Sequence, residues 1–254
     1  MRFVPRSSLD TAQIVYLERQ KVAIQRQPVG FDTATFWKSR RQTKIMNGIF
    51  GKLLTMAGKR ERCMYCVDSK GTDIEHFYPK SKVPYQKIFE WSNYLLCCTE
   101  CGRMKSDLFP AKADGSALLI DPTLENPWDY LDFDPKTGII TARFDARANT
   151  QFSQGVSTVN TLQLDRREAL AEGYKKTWQR LIKKVVSFLE KPDNASEFIP
   201  KLLEADDHHL LGWCVHGTGD TEQPFTQLKQ NHPDIWRTLC NHPEIPIPQK
   251  EVKL

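Results

Sequence analysis

Four of the chain's seven cysteines stand in two C-x2-C pairs, Cys63/Cys66 and Cys98/Cys101, with 31 residues between the pairs. Each pair presents two thiolates from one tight knuckle, and two knuckles complete a tetrahedral zinc site. Cys97 adjoins Cys98, but only Cys98 has the two-residue spacing to Cys101. Four thiolates leave no open position, so the expected zinc is structural. One ion held this way clips two distant segments together, and the long loop it closes must itself be folded. Inside the loop lie Asp73-Ile-Glu75-His76 and Asn93, and just beyond it Gly102 and Lys105. A neutral imidazole at His76 can take a proton from water, and Glu75 or Asp73 can offer oxygen to Mg2+ or Mn2+. Strand alternation puts both acids on one face, opposite His76, and does not choose between them.

Cys63, Cys66, Glu75-His76, Asn93, Cys98, Cys101 and Lys105 together resemble an HNH nuclease, a ββα-metal finger stabilised by a four-cysteine zinc. A closer resemblance is to the HNH proteins of Septu-type anti-phage defence systems, also found beside retrons. It rests on the runs 74–81 (IEHFYPKS), 91–96 (WSNYLL), 105–110 (KSDLFP) and 119–122 (LIDP), and continues weakly to about Arg167. The resemblance implies a cytoplasmic, metal-dependent endonuclease in which His76 activates water. It favours Glu75, immediately before the histidine, as the Mg2+ or Mn2+ ligand, and has Asn93 brace the loop and orient His76. It also implies a partner, an ATPase with ABC- or SMC-like parts, and in the retron setting a reverse transcriptase with its nucleic acid. No G-x4-G-K-[ST] run occurs, so any ATPase is a separate subunit. One departure stands out. Many such fingers have a metal-binding asparagine or histidine directly after the last cysteine, where this chain has Gly102. Lys105, one helical turn on, is placed to meet a phosphate. Asp107 is five residues from Gly102, about 140° round an ideal helix. Two other readings stay open: a non-catalytic zinc module that binds nucleic acid or scaffolds a complex, and an HNH nuclease directed at structured RNA.

Net charge is +5, but residues 1–62 carry 13 Lys and Arg against 4 Asp and Glu. A basic segment leading into such a finger suits the phosphate backbone of DNA or RNA, and Arg40, Arg41 and Lys44 are its candidate contacts. The other reading is a solvated basic face. No apolar run approaches a membrane span, and the opening residues contain no apolar signal core. Paired-knuckle cysteines fit a reducing cytoplasm better than a disulfide framework.

The pattern predicts an α+β protein in four parts. Residues 1–59 form a basic helical region, 60–112 the zinc-stapled finger, 113–150 a strand and hairpin extension, and 151–254 a helical region with an extended tail. Ser8 or Asp10 caps a first helix reaching Gln27, with Ile14, Leu17 and Ile24 on one side. Thr33 caps a second helix from Ala34 to Met56, whose apolar stripe includes Ile45, Ile49 and Leu53 and whose early cations oppose the helix dipole. The chain is extended over 72–77, a second strand lies within 88–96, and the finger helix starts at Cys98. Residues 118–120 read as a buried strand, and Phe133 to Gly138 as a hairpin turn. Leu162, Leu164, Leu170, Leu181, Val185, Val186 and Leu189 give later helices their apolar faces, with a break at 192–194 and a helix over 196–204. Cys214/His216 and Cys240/His242 match no common knuckle and read as buried thiols with surface histidines. Trp178, Trp213 and Trp236 read as core or interface anchors.

Overall fold

The computed structural model describes residues 1–28, 30–81, 84–192 and 195–248. Asp193 and Asn194 of the expected helix break, Lys82 and Val83 of the loop after His76, and Gln249 of the tail lie outside them. The protein is α+β and divides into two compact units. One is Val4–Ala111, and the other is Met1–Phe3 together with the chain from Lys112 onward.

In the N-terminal unit, α1 (Thr11–Gln25) starts at Asp10, which closes a capping box with Gln13: the Gln13 N–H donates to Asp10 Oδ1 at 2.9 Å and the Asp10 N–H to Gln13 Oε1 at 3.1 Å. Leu17 and Ile24 are buried as expected, whereas Ile14 is about half exposed, at 49%. The long second helix is two helices. Asp32, not Thr33, caps α2 (Thr33–Arg41), and Thr43 turns extended and caps α3 (Lys44–Ala57) by accepting from the Met46 N–H. This break reverses the dipole argument for Arg40 and Arg41, which sit in the last turn of α2, where positive charge is favourable. The buried stripe of α3 is Met46, Ile49, Leu53 and Ala57. Strand β1 (Asp73–His76) pairs antiparallel with β2 (Tyr94–Cys97) in the register Asp73↔Cys97 to His76↔Tyr94, and α4 (Thr99–Lys105) follows directly. Tyr85–Phe89 and Trp91–Asn93 are 3-10 turns, so only the end of the expected second strand is strand.

In the other unit, β3 (Leu131–Phe133) and β4 (Ile140–Ala142) form the expected hairpin, and β5 (Phe144–Asp145) pairs with β6 (Thr150–Gln151). Gly138 takes a positive φ of 82°, and a Cβ there would lie 2.1 Å from the Ala171 carbonyl oxygen, so both conformation and space require glycine. Residues 118–120 form no strand. Leu119 and Ile120 are nonetheless buried, and the Ile120 N–H donates to Thr158 Oγ1 instead of to a ladder. Helices α5 (Ser153–Leu162) and α6 (Glu168–Glu190) are followed by α7 (Ala195–Ala205), α8 (Leu211–His216), α9 (Phe225–Asn231) and α10 (Pro233–Cys240). The long α6 buries Leu170, Tyr174, Trp178, Leu181, Val185 and Phe188 at three- and four-residue spacing, while Val186 faces out. Trp178 stacks on Phe225 at 5.6 Å and meets Trp213 edge-on at 5.5 Å. Trp236 is buried too. Asp206 accepts the Leu210 and Leu211 N–H groups at the start of α8. Among the described residues no helix is long and apolar enough to cross a membrane.

Candidate metal centre and adjoining polar site

The two knuckles converge. The sulfurs of Cys63, Cys66, Cys98 and Cys101 all lie within 4.8 Å of one another, and all four side chains are buried. A tetrahedral zinc with bonds of about 2.3 Å needs sulfurs about 3.8 Å apart, and Cys66 Sγ lies 3.8 Å from Cys98 Sγ. The cluster can therefore hold one zinc ion. The backbone around it is shaped for that purpose. Val67, a buried β-branched residue, is held in the left-handed region at φ 54° as the first knuckle turns, its N–H donating to the Cys63 carbonyl. Cys98 is the N-cap of α4, its Sγ accepting from the Cys101 N–H. Burial pushes the Cys63 thiol up, whereas hydrogen bonds from Cys101, Cys63 and Cys98 hold Cys66 well below the usual thiol range. The fifth thiol, Cys97, donates to the Cys98 carbonyl. Cys214 is buried, Cys240 is half-buried, and no second metal-binding group of this kind occurs among the described residues.

Beside the cluster, β1 splits its side chains as alternation requires, with Ile74 and His76 buried and Asp73 and Glu75 turned the other way. Arg41 forks onto Asp73, with N···O distances of 2.9 and 2.5 Å. Lys105 is fully buried: its Nζ donates to Glu75 Oε1 and to the His76 carbonyl, each at 2.8 Å. Lys105 was expected at a phosphate, but this ammonium instead ties α4 to β1. An ammonium so far from solvent requires such partners, since leaving it bare would cost several kcal/mol. Burial pushes the Glu75 carboxyl up, against the pull of Lys105.

Glu75 Oε2 faces α4 at Gly102. A Cβ built on Gly102 would lie 3.9 Å from Oε2 and 3.8 Å from Cys97 Sγ, ordinary contact distances. Gly102 also takes no left-handed φ, so nothing in the backbone requires glycine there. A side chain at 102 would project at the Glu75 carboxylate.

His76 is enclosed by rings: Trp37 meets it edge-on at 4.4 Å and Tyr94 at 5.2 Å. Its Nε2 lies 3.0 Å from the Ile88 carbonyl. A carbonyl only accepts, so this bond places the proton on Nε2 and leaves the lone pair on Nδ1, which is buried and has no partner among the described residues. Burial, reinforced by Lys80, holds the imidazole well below its ordinary pKa and hence neutral. Among the described residues Asn93 makes no hydrogen bond to the imidazole. It clamps the loop, its Oδ1 accepting from the Tyr78 N–H at 2.7 Å and its Nδ2 donating to the Tyr78 and Lys87 carbonyls at 3.1 and 2.9 Å. The clamp fixes the residue before Ile88, and so the carbonyl that selects the tautomer of His76.

Of the other expected basic contacts, Arg40 stacks on the Phe36 ring at 4.1 Å and Lys44 is exposed at the start of α3. The sequence reading missed Trp37 and Lys80. Lys80 lies four residues past His76 in the same quoted run, which is the signal that would have found it; Trp37 shows only once α2 is packed. No family model, curated protein or solved structure matches the chain.

Proposed function

We propose that this protein is a metal-dependent endonuclease of the HNH class, with β1, β2 and α4 as its ββα finger, acting on nucleic-acid phosphodiesters. The observation that carries the reading is His76, a neutral imidazole with its proton fixed on Nε2 and, among the described residues, an unpartnered Nδ1, next in sequence to a glutamate whose second oxygen faces the side-chain-free Gly102. In this reading His76 Nδ1 takes the proton of the attacking water. A divalent cation on Glu75 Oε2, completed by water and substrate oxygens as Mg2+ commonly is, would supply charge stabilisation at phosphorus. Arg41 takes both oxygens of Asp73, whereas Lys105 takes only Oε1 of Glu75, so Glu75 Oε2 is the better ligand. Because Nδ1 is buried, the reading requires the lining of His76 to open when substrate binds. Work within an anti-phage defence complex, under a separate ATPase subunit, belongs to the same proposal and is supported by the resemblance of residues 74–81, 91–96 and 105–110.

The burial of His76, at 2% exposure, favours a second reading, a zinc-stabilised module that binds nucleic acid without cutting it. Incubation of matched DNA and RNA with the protein and Mg2+ or Mn2+ separates the two. The nuclease reading expects metal-dependent cleavage that His76→Ala abolishes while the protein stays folded and zinc-loaded, with a lower unfolding temperature from the cavity left among Trp37 and Tyr94. It also expects Gly102→Asn to lower the metal concentration for half-maximal cleavage. Binding without cleavage under any metal would favour the binding module, and metal-dependent cleavage that survives His76→Ala would remove His76 from the reaction.

A further inference from the structure

Three cations and two carboxylates gather around β1. Arg41 is matched by Asp73 and Lys105 by Glu75, with N···O distances of 2.9 and 2.8 Å. The third, Lys80, forms no ion pair among the described residues. Its ammonium lies 6.0 Å from the centre of the Trp37 ring, whose edge packs on His76. An ammonium 6.0 Å from an aromatic centre is held more weakly than one in an ion pair, so an anion can take it over. With both acids engaged, this corner of the unit carries one cation in excess.

We infer that Lys80 is a substrate-phosphate contact, its ammonium meeting a non-bridging oxygen of the phosphate beside His76 while Trp37 sets where it stands. The inference deepens the nuclease reading and rests on it for the identity of the anion. Burial draws the Lys80 ammonium down from its usual range, but Glu75 and Asp73 partly offset this. A compact ammonium at a phosphate acts as a point charge. Its weight falls on charge that develops during cleavage and on the count of counterions released on binding.

The test compares wild type, Lys80→Met and Lys80→Arg, each checked for zinc and thermal unfolding. A fluorescein-labelled DNA duplex and an RNA of the same sequence serve as probes. Binding is titrated across salt without divalent metal, and cleavage is measured with Mg2+ or Mn2+. The expected result is a salt slope smaller by about 0.9 on duplex DNA for Lys80→Met, and kcat lower by about 100-fold. Lys80→Arg should restore most of both. If Lys80→Met binds and cleaves like the wild type, Lys80 is not a phosphate contact, although the nuclease reading survives. If the wild type never cleaves but Lys80→Met still flattens the slope, the anion contact stands and the nuclease reading falls. Binding of neither probe by the wild type overturns both. Should Lys80→Met lose zinc or unfold early, Lys80→Gln takes its place with the same outcomes.

Discussion

In the N-terminal unit a fully buried lysine, a buried histidine and a buried asparagine fill positions beside four thiolates. At the same depth in the C-terminal unit stand Trp128, Trp213, Tyr174 and Phe225. The first unit has two four-residue strands and a helix of seven residues at its centre, and the second a helix of 23 residues. Apolar burial gains about 25 cal/mol per Å2 without regard to direction, so rings packed on α6 need no further device. Buried polar groups contribute only when every partner is in place. The N-terminal unit must therefore be held in register by something stronger than its short elements, and its thiolate cluster is placed to do that.

The largest expected effect comes from breaking that device. Cys66→Ser, or zinc removal by a chelator, should unfold the strand–helix region of the N-terminal unit, because metal binding worth on the order of 10 kcal/mol is there folding energy. The C-terminal unit should keep its own cooperative transition. Elemental analysis with hydrogen exchange reads both: about one zinc per wild-type chain, and lost protection confined to Val4–Ala111. Full protection across residues 63–105 in zinc-free protein would erase the contrast.

A smaller effect sharpens it. Lys105→Met leaves the half-buried Glu75 carboxylate without its cation and should cost about 3 kcal/mol, the low end for a buried pair. Adding Glu75→Leu should recover most of the loss, since an apolar pair of similar volume needs no partners. Denaturant unfolding of zinc-loaded protein measures both steps. If the double variant is no better than the single one, the pair is not the unit that matters.

The smallest effect is in pH. The folded pKa of His76 lies well below its unfolded value near 6.5 because burial penalises the charged ring. Its contribution is thus complete above 6.5 and is lost as pH falls from 6.5 toward the folded value, where the unfolded chain binds the extra proton. The slope is at most about 1.4 kcal/mol per pH unit. His76→Phe should flatten this part of the stability curve; an unchanged slope would assign it to other groups.

The two units were legible in the sequence for different reasons. Cysteine spacing located the thiolate cluster because four ligands to one ion leave few arrangements. Alternation sorted Asp73 and Glu75 from His76, since a strand offers only two faces. The three- and four-residue period of Leu170, Leu181 and Val185 marked α6, and the turn residues before Gly138 marked the hairpin. What escaped was tertiary. The break at Gln42–Thr43 falls in the wholly polar run 38–44 (KSRRQTK), which suits an exposed helical turn as well as a break, and capping by Thr43 decided it. Lys105 turned inward because α4 packs on β1, and spacing alone carries no sign of that. Leu119 and Ile120 are apolar enough for a strand, but their backbone found Thr158 in place of a neighbour.

Met1–Phe3 belong with the chain from Lys112 onward, although the whole N-terminal unit lies between them. Residues 1–3 are therefore made before the segment they group with. While the later helices are still being translated, Val4–Ala111 is already out and complete in sequence, free to gather its thiolates around an ion. Order of synthesis thus gives metal capture a head start over closure of the second unit. A cell short of zinc at that moment would lose that head start.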